Sequence, residues 1–176
     1  MAFTDPSKNI AELHVREGMI AVDFGAGTGE HAIELGKKVG ERGRVYAVEV
    51  QKNLLQNIKT AARESGLANI DVIWGDIEIP HGVKLADESA DVVIMTNTFF
   101  LVEDKVQAAR EAFRILKPGG RAMVIDWSDS FGGLGPLQDD VVTETTAHKI
   151  LESVGFVFER RFVAGDHHYG IIVVRQ

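Results

Sequence analysis

The chain has 176 residues, and 45% of them are hydrophobic, which suffices to bury the core of one domain of ordinary size. Its formal net charge of −7 disfavours nucleic acid as a partner, and its lack of cysteine excludes disulfides, catalytic thiolates and cysteine-ligated metals. No segment reaches the roughly 20 uninterrupted apolar residues of a membrane span, and the N-terminus lacks a secretion signal. We therefore expect one cytoplasmic domain over residues 1–176, without a membrane partner.

Five short runs are apolar on both faces, as strands of a parallel sheet covered by helices are. They are Met19–Phe24, Arg44–Val50, Ile70–Trp74, Ala90–Thr96 and Gly120–Trp127. Helical stripes of apolar residues lie between several of these runs. The pattern predicts repeated strand–helix units, five in all, and hence an α/β fold with helices on both faces of the sheet.

The C-terminal part of the chain has a different pattern. Phe156–Val163 and Tyr169–Arg175 both have strand character, but only the five residues "AGDHH" separate them. A connection this short cannot hold a helical crossover, so the two strands are expected to form an antiparallel hairpin. The whole pattern therefore predicts a three-layer sandwich around a mostly parallel, seven-stranded sheet whose last strand is antiparallel.

A glycine-rich turn, "VDFGAGTGE", follows the first strand and precedes a helix. Bare backbone allows a ligand to approach closely, and the helix N-terminus offers free N–H groups. Gly25, Gly27 and Gly29 have the spacing G-x-G-x-G, whereas a dinucleotide fingerprint needs a glycine at position 30, where this chain has Glu30. A carboxylate there would repel a pyrophosphate. The turn therefore favours a ligand without phosphates.

Three further segments follow this turn in order: "VYAVEV", "VIWGDIE" and "LKPGGRAMVIDW". Together with the glycine turn, they resemble the motifs of the class I S-adenosylmethionine-dependent methyltransferases over about residues 18–127. The resemblance implies a Rossmann-like, seven-stranded fold, S-adenosylmethionine as cofactor, and transfer of its methyl group to an acceptor.

The resemblance also implies which residues bind the cofactor. The glycine turn would wrap the methionine part, with Asp23 beside it. Glu49 would hold both ribose hydroxyls, and Asp76 would accept from the adenine amino group. The complete expected set is Asp23, Gly25, Ala26, Gly27, Gly29, Glu49, Val50, Gly75, Asp76, Ile77 and Asn97.

The hairpin tip "GDHHY" carries the main candidates for catalysis. A parallel sixth strand would deliver this tip to the ligand edge of the sheet, where His167 or His168 could act as a general base and Asp166 could orient it. Asp129, in the glycine-rich loop after the fifth strand, is a further candidate. A solvated polar turn is the alternative interpretation of the same tip. We expect no metal site, because adjacent residues of an extended segment point to opposite faces.

A small-molecule acceptor fits the acidic chain best, a protein side chain remains open, and nucleic acid is least favoured. Residues 1–18 are a candidate for a segment that covers the site. Two other functions stay open: a non-catalytic S-adenosylmethionine-binding module or partner subunit, and an NAD(P)-binding oxidoreductase, against which Glu30 and the reversed last strand argue. The sequence specifies neither the acceptor atom nor the oligomeric state.

Overall fold

The computed structural model describes residues 4–176, which form a seven-stranded sheet with helices on both faces. The strands are β1 (Ile20–Phe24), β2 (Arg44–Glu49), β3 (Ile70–Trp74), β4 (Ala90–Thr96), β5 (Leu116–Trp127), β6 (Phe156–Gly165) and β7 (His168–Arg175). The α-helices are α1 (Pro6–Glu12), α2 (Glu30–Val39), α3 (Lys52–Glu64), α4 (Lys105–Ile115) and α5 (Glu144–Ser153), and a 3₁₀ turn over Gln138–Asp140 precedes α5.

The order of the strands across the sheet is β3-β2-β1-β4-β5-β7-β6. Strand β7 runs antiparallel to both of its neighbours, whereas the pairs among β1 to β5 are parallel. The expected Rossmann-like sandwich with a reversed last strand is thus confirmed. The chain order reverses between β1 and β4, and ligands of such sheets bind beyond the carboxyl ends of the strands at this switch point.

The connection between β3 and β4 corrects the prediction of five strand–helix units. Residues 75–89 form turns rather than a helix. The segment contains Pro80 and Gly82, and its backbone is held from outside by the buried Glu111 of α4. The two carboxylate oxygens of Glu111 accept from the N–H groups of His81 (3.2 Å) and Val83 (3.1 Å). The Glu111 side chain of α4 therefore stabilises the backbone of this segment, which forms no helix.

The N-terminal helix packs against the sheet face that α2 and α3 also cover. Ile10 and Leu13 are buried in that half of the core, and Arg160 of β6 bonds to Glu12 at the end of α1. Asp5 caps the helix by accepting from the N–H of Lys8. Among residues 4–176, no helix has the length and apolar character needed to cross a membrane.

The loop after β5 offers a test of the packing at the ligand edge. A Cβ atom at Gly135 would lie 2.5 Å from the ring of Trp127, whereas one at Gly133 would meet nothing within 4 Å. Both glycines have left-handed backbone, with φ of 78° and 75°. We expect Gly135→Ala to lower the free energy of unfolding by about 1–3 kcal/mol more than Gly133→Ala does, because only the former adds a clash to the shared backbone strain. Thermal unfolding of the two variants measures the difference, and equal losses would contradict the packing of Trp127 on Gly135.

Candidate active site

The glycine turn after β1 adopts a conformation that requires glycine. Gly25, Gly27 and Gly29 have φ values of 74°, 53° and 87°, which is the left-handed region. The N–H groups of Gly25 and Ala26 both donate to the carbonyl of Val48, at 2.9 and 3.0 Å. Gly25 is also limited by space, because a Cβ there would lie 2.7 Å from Oγ1 of Thr98. The turn is therefore held between β2 and the segment after β4.

Glu49, at the end of β2, fastens this turn to the start of α3. Its side chain is only 4% exposed. Oε2 accepts from the N–H of Gly27 at 2.9 Å, and Oε1 accepts from the N–H of Gln51 at 2.8 Å. Each carboxylate oxygen can accept a second hydrogen bond. The carboxylate thus braces the turn and keeps acceptor capacity for a ligand.

Asp23, the last but one residue of β1, lies close to Glu49 and is 2% exposed. Burial, with the nearby Glu49 carboxylate as a second cause, raises the pKa of Asp23 to about 7. Among residues 4–176, its Oδ2 atom has no hydrogen-bond partner, and the same holds for the buried polar atoms Nε2 of His31, Oγ1 of Thr96 and Oδ1 of Asn97. Buried polar atoms without a partner are costly, so their grouping indicates a site completed by a ligand.

The loop after β3 forms another wall of the same site. Oδ1 of Asp76 accepts from the N–H of Glu78 at 2.9 Å, which shapes a tight turn. Oε1 of Glu78 in turn accepts from the N–H groups of Glu103 and Asp104, both at 2.7 Å, and so ties this loop to the start of α4. Ile77 is buried between them against the core.

These groups surround a cavity of about 470 Å³, here called the β1–β4 cavity, which has the size of an ordinary small-molecule site. All the residues of the expected cofactor set line it except Gly29. Gly29 is instead the N-cap of α2 and lies against Ile58, since a Cβ added to it would be 3.1 Å from Cγ2 of that residue.

Other lining residues lie outside the expected cofactor set. They are Thr4, Thr28, Glu30, His31, Val48, Gln51, Glu78, Thr96, Thr98, Leu101 and Val102. Most lie within two positions of an expected residue, so adjacency to the motifs was a usable signal. Leu101 and Val102 lie farther along the segment after β4, and Thr4 belongs to residues 1–18, the segment that is a candidate for covering the site.

The charged side chains described around the β1–β4 cavity are all acidic. Five carboxylates line it, those of Asp23, Glu30, Glu49, Asp76 and Glu78, and no described lysine or arginine does. Burial lowers the pKa of His31 to about 4, so its imidazole is neutral and adds no positive charge. Such a cavity suits a ligand with net positive charge and disfavours phosphates.

Comparison with known proteins gives the family. The family model described as "Methyltransferase domain" matches residues 16–156. A solved structure, a SAM dependent methyltransferase from Aquifex aeolicus, superposes with a TM-score of 0.89 at 30% identity, covering 99% of this chain and 91% of that one. The chain belongs to the class I S-adenosylmethionine-dependent methyltransferase family.

Two curated relatives are similar over the same region. The ubiquinone/menaquinone biosynthesis C-methyltransferase of Klebsiella pneumoniae is 30% identical over 115 residues, which cover 65% of this chain and 45% of that protein. The demethylmenaquinone methyltransferase of a Geobacillus species is 32% identical over 116 residues, which cover 66% and 48%. The chain thus spans about half the length of these curated relatives.

The cofactor of this methyltransferase family is S-adenosylmethionine, and the β1–β4 cavity fits it. The cofactor carries a sulfonium and an ammonium with one carboxylate, so its net charge is positive, as the acidic lining requires. Its ammonium, hydroxyl and amino groups are donors, and the partnerless oxygens of Asp23, Thr96 and Asn97 are acceptors. Gly29, the N-cap of α2, forms no side-chain cap, so N–H groups of the first turn of α2 remain available to a carboxylate.

Three of the four expected catalytic residues, Asp129, His167 and His168, lie elsewhere, around a second cavity of about 590 Å³ that Asp166 does not line. We call it the hairpin cavity, and its lining residues are Ser128, Asp129, Glu144, Arg161, Phe162, Val163, Gly165, His167, His168 and Tyr169. None of them lines the β1–β4 cavity. The tip does reach the ligand edge of the sheet, because His168 pairs with Trp127 at the carboxyl end of β5.

The carboxylate that contacts His167 is Asp129, not Asp166 as the sequence analysis expects. Nδ1 of His167 lies 2.8 and 3.0 Å from the two carboxylate oxygens of Asp129. The ring of Phe131 stacks on the imidazole, with 4.0 Å between centroids and 25° between planes. Asp166 contributes only its backbone carbonyl, which lies 2.9 Å from Nδ1 of His168.

His168 differs from its neighbour in being buried. It is 3% exposed, its ring centroid lies 4.3 Å from that of Trp127, and its Nε2 atom has no hydrogen-bond partner within the part of the chain that the structure describes. Burial is the main cause that lowers the pKa of His168. These surroundings favour a neutral, packed imidazole.

A buried carboxylate that sequence reasoning missed lies near the end of β5 and is 1% exposed. Asp126, near the end of β5, accepts from the N–H groups of Phe100 (3.1 Å) and Trp127 (2.8 Å). Burial raises its pKa to about 6. Tyr169 is its partner across the sheet, and the hydroxyl of Tyr169 has no hydrogen-bond partner. The position of Asp126 inside an apolar run was the available signal.

Proposed function

We propose that this protein transfers the methyl group of S-adenosylmethionine to a small-molecule acceptor. The observation that carries the proposal is the acidic β1–β4 cavity, in which Asp23, beside Glu49, presents a buried oxygen that has no hydrogen-bond partner among the described residues. The membership of the methyltransferase family supports it. The lack of a cationic lining residue, together with this membership, leaves the NAD(P)-dependent alternative unfavoured.

The proposed roles follow from the position of each group. Glu49 would accept from the ribose hydroxyls with the acceptor capacity that its two backbone bonds leave free. Asp76 would accept from the adenine amino group, with Ile77 and Val50 against the ring. Asp23 and Asn97 would accept from the ammonium. When bound, the cofactor supplies a methyl group already activated by its sulfonium, so the protein's task is to position the acceptor and to exclude water.

The curated relatives bear on the acceptor. Their names describe methyltransferases of ubiquinone and menaquinone biosynthesis, and we propose that a small ring compound is the acceptor here as well. Thr4 lines the β1–β4 cavity, which supports the proposal that residues 1–18 cover part of the site. A protein acceptor is the second candidate, and the cytoplasmic location stays a prediction.

Calorimetric titration with S-adenosylmethionine, S-adenosylhomocysteine and NAD tests the proposal. We expect saturable binding of the first two and none of NAD, because five carboxylates line the cavity without a cation to offset them. NAD binding alone would overturn the proposal. Binding without turnover of any ring compound in a methyl-transfer screen would favour the non-catalytic alternative.

A further inference from the structure

We propose that the hairpin cavity binds the methyl acceptor, that this acceptor carries a phenol-type hydroxyl, and that His167 removes its proton. The proposal rests on the proposed function and specifies its acceptor. It begins from the contact between His167 and Asp129, two residues 38 positions apart in the sequence that the fold brings together at the ligand edge.

The surroundings of His167 are those of a base. Asp129 accepts from Nδ1, which fixes the proton on that nitrogen and leaves the lone pair on Nε2. Within residues 4–176, no group forms a hydrogen bond with Nε2, and about a quarter of the side chain is exposed, so a ligand can reach it. The stacked ring of Phe131 limits rotation of the imidazole. Asp129 is a positioning residue in this arrangement, since it acts through His167.

The lining of the hairpin cavity suits a flat, largely apolar molecule. Phe162 and Tyr169 present ring surface, and Val163 is 88% exposed, which is unusual for an apolar side chain. Leu134 is also exposed and forms an isolated backbone bridge with Phe131, the residue that stacks on His167. An aromatic ring bearing a hydroxyl would cover this apolar surface and direct its polar group towards Nε2.

The distance between the two cavities sets a minimum length for the acceptor. Asn97, after β4, lines the β1–β4 cavity, and His168 begins β7. Only β5 lies between β4 and β7, so their ends are two strand spacings apart, about 10 Å. The acceptor must therefore extend across the end of β5, with its reacting hydroxyl between His167 and the mouth of the β1–β4 cavity.

The step balances with the groups already named. Nε2 of His167 takes the hydroxyl proton and later releases it to solvent. The electron pair of the phenolate forms the bond to the methyl carbon, through oxygen or the adjacent ring carbon, and in the latter case the ring proton moves to the oxygen. The carbon–sulfur bond breaks as its electron pair passes to sulfur, which becomes a neutral thioether.

The test uses 4-nitrophenol as the probe, because its phenolate has an absorption band that the neutral phenol lacks. The full chain is saturated with S-adenosylhomocysteine, and the probe is added at a pH below the pKa that it has in solution. We expect wild type to bind the probe as phenolate. His167→Gln should lose the phenolate band and weaken probe binding about tenfold, and Asp129→Asn should fall between the two.

His148→Gln is the matched control, because His148 lies on α5 and lines neither cavity. All variants should bind S-adenosylhomocysteine as wild type does, which also shows that they are folded. An unchanged phenolate band in His167→Gln, or no probe binding by wild type, would overturn the acceptor assignment alone. Failure of wild type to bind S-adenosylhomocysteine would instead reject the proposed function, and with it the acceptor role of the cavity.

Discussion

Replacement of Glu49 by alanine is expected to weaken S-adenosylmethionine binding about 100-fold or more. The carboxylate would lose its charge-assisted hydrogen bonds to the ribose hydroxyls, which are worth about 1.5–3 kcal/mol each. The same change also leaves the N–H groups of Gly27 and Gln51 without their acceptor. The loss therefore has two sources, the missing ligand contacts and a loosened glycine turn, and calorimetric titration measures their sum.

Two further variants separate these sources. Glu49→Gln keeps one carbonyl oxygen and the size of the side chain, so it should bind more tightly than Glu49→Ala but more weakly than wild type. Glu64→Ala removes an exposed carboxylate at the end of α3 and should bind as wild type does. An affinity of Glu49→Ala within about twofold of wild type would contradict the placement of the ribose at Glu49.

Asp23→Asn is expected to change stability and binding in opposite directions. The pKa of Asp23 rises from 3.8 to about 7 on folding, so at pH 8 the folded protein holds a buried charge that the unfolded chain carries in water. Asparagine has no such charge, and we expect the free energy of unfolding at pH 8 to increase by up to about 4 kcal/mol. Cofactor affinity should fall at least about tenfold, because the ammonium loses its charged acceptor.

The direction of the expected stability change follows from how the protonation of Asp23 depends on pH. The folded protein keeps the Asp23 proton up to about pH 7, whereas the unfolded chain releases it near pH 3.8, so the free energy of unfolding decreases as the pH rises between these values. In Asp23→Asn that decrease should be smaller. Chemical denaturation of both proteins and of the exposed control Asp139→Asn at several pH values measures it. A variant less stable than wild type at pH 8 would refute the assignment of a buried charge.

The grouping of the acidic residues could be predicted because parallel strands determine it. Asp23, Glu49 and Asp76 lie at or just beyond the ends of β1, β2 and β3, which are neighbours in the sheet. The carboxyl ends of parallel strands meet at one edge, so residues distant in sequence become adjacent through a regular element. All three line the same cavity as a result.

The contacts made by loops could not be predicted in the same way. The choice of Asp129 over Asp166 as the partner of His167 depends on the course of the loop after β5, which no periodic pattern encodes. Likewise, Glu111 has the sequence pattern of a helix-surface carboxylate, yet it is buried because the turns of residues 75–89 need an acceptor.

The two backbone bonds of Glu49 have a further consequence for how a ligand binds. Both bonds join groups of the protein itself, so they hold the Gly25–Gly29 turn in one conformation. Ordering a residue costs about 1–2 kcal/mol in conformational entropy, and glycine loses more than other residues. That loss is incurred during folding rather than on association. The protein should therefore bind its cofactor through a preorganised site, with little change in amide-exchange protection of the turn between the free and the bound protein.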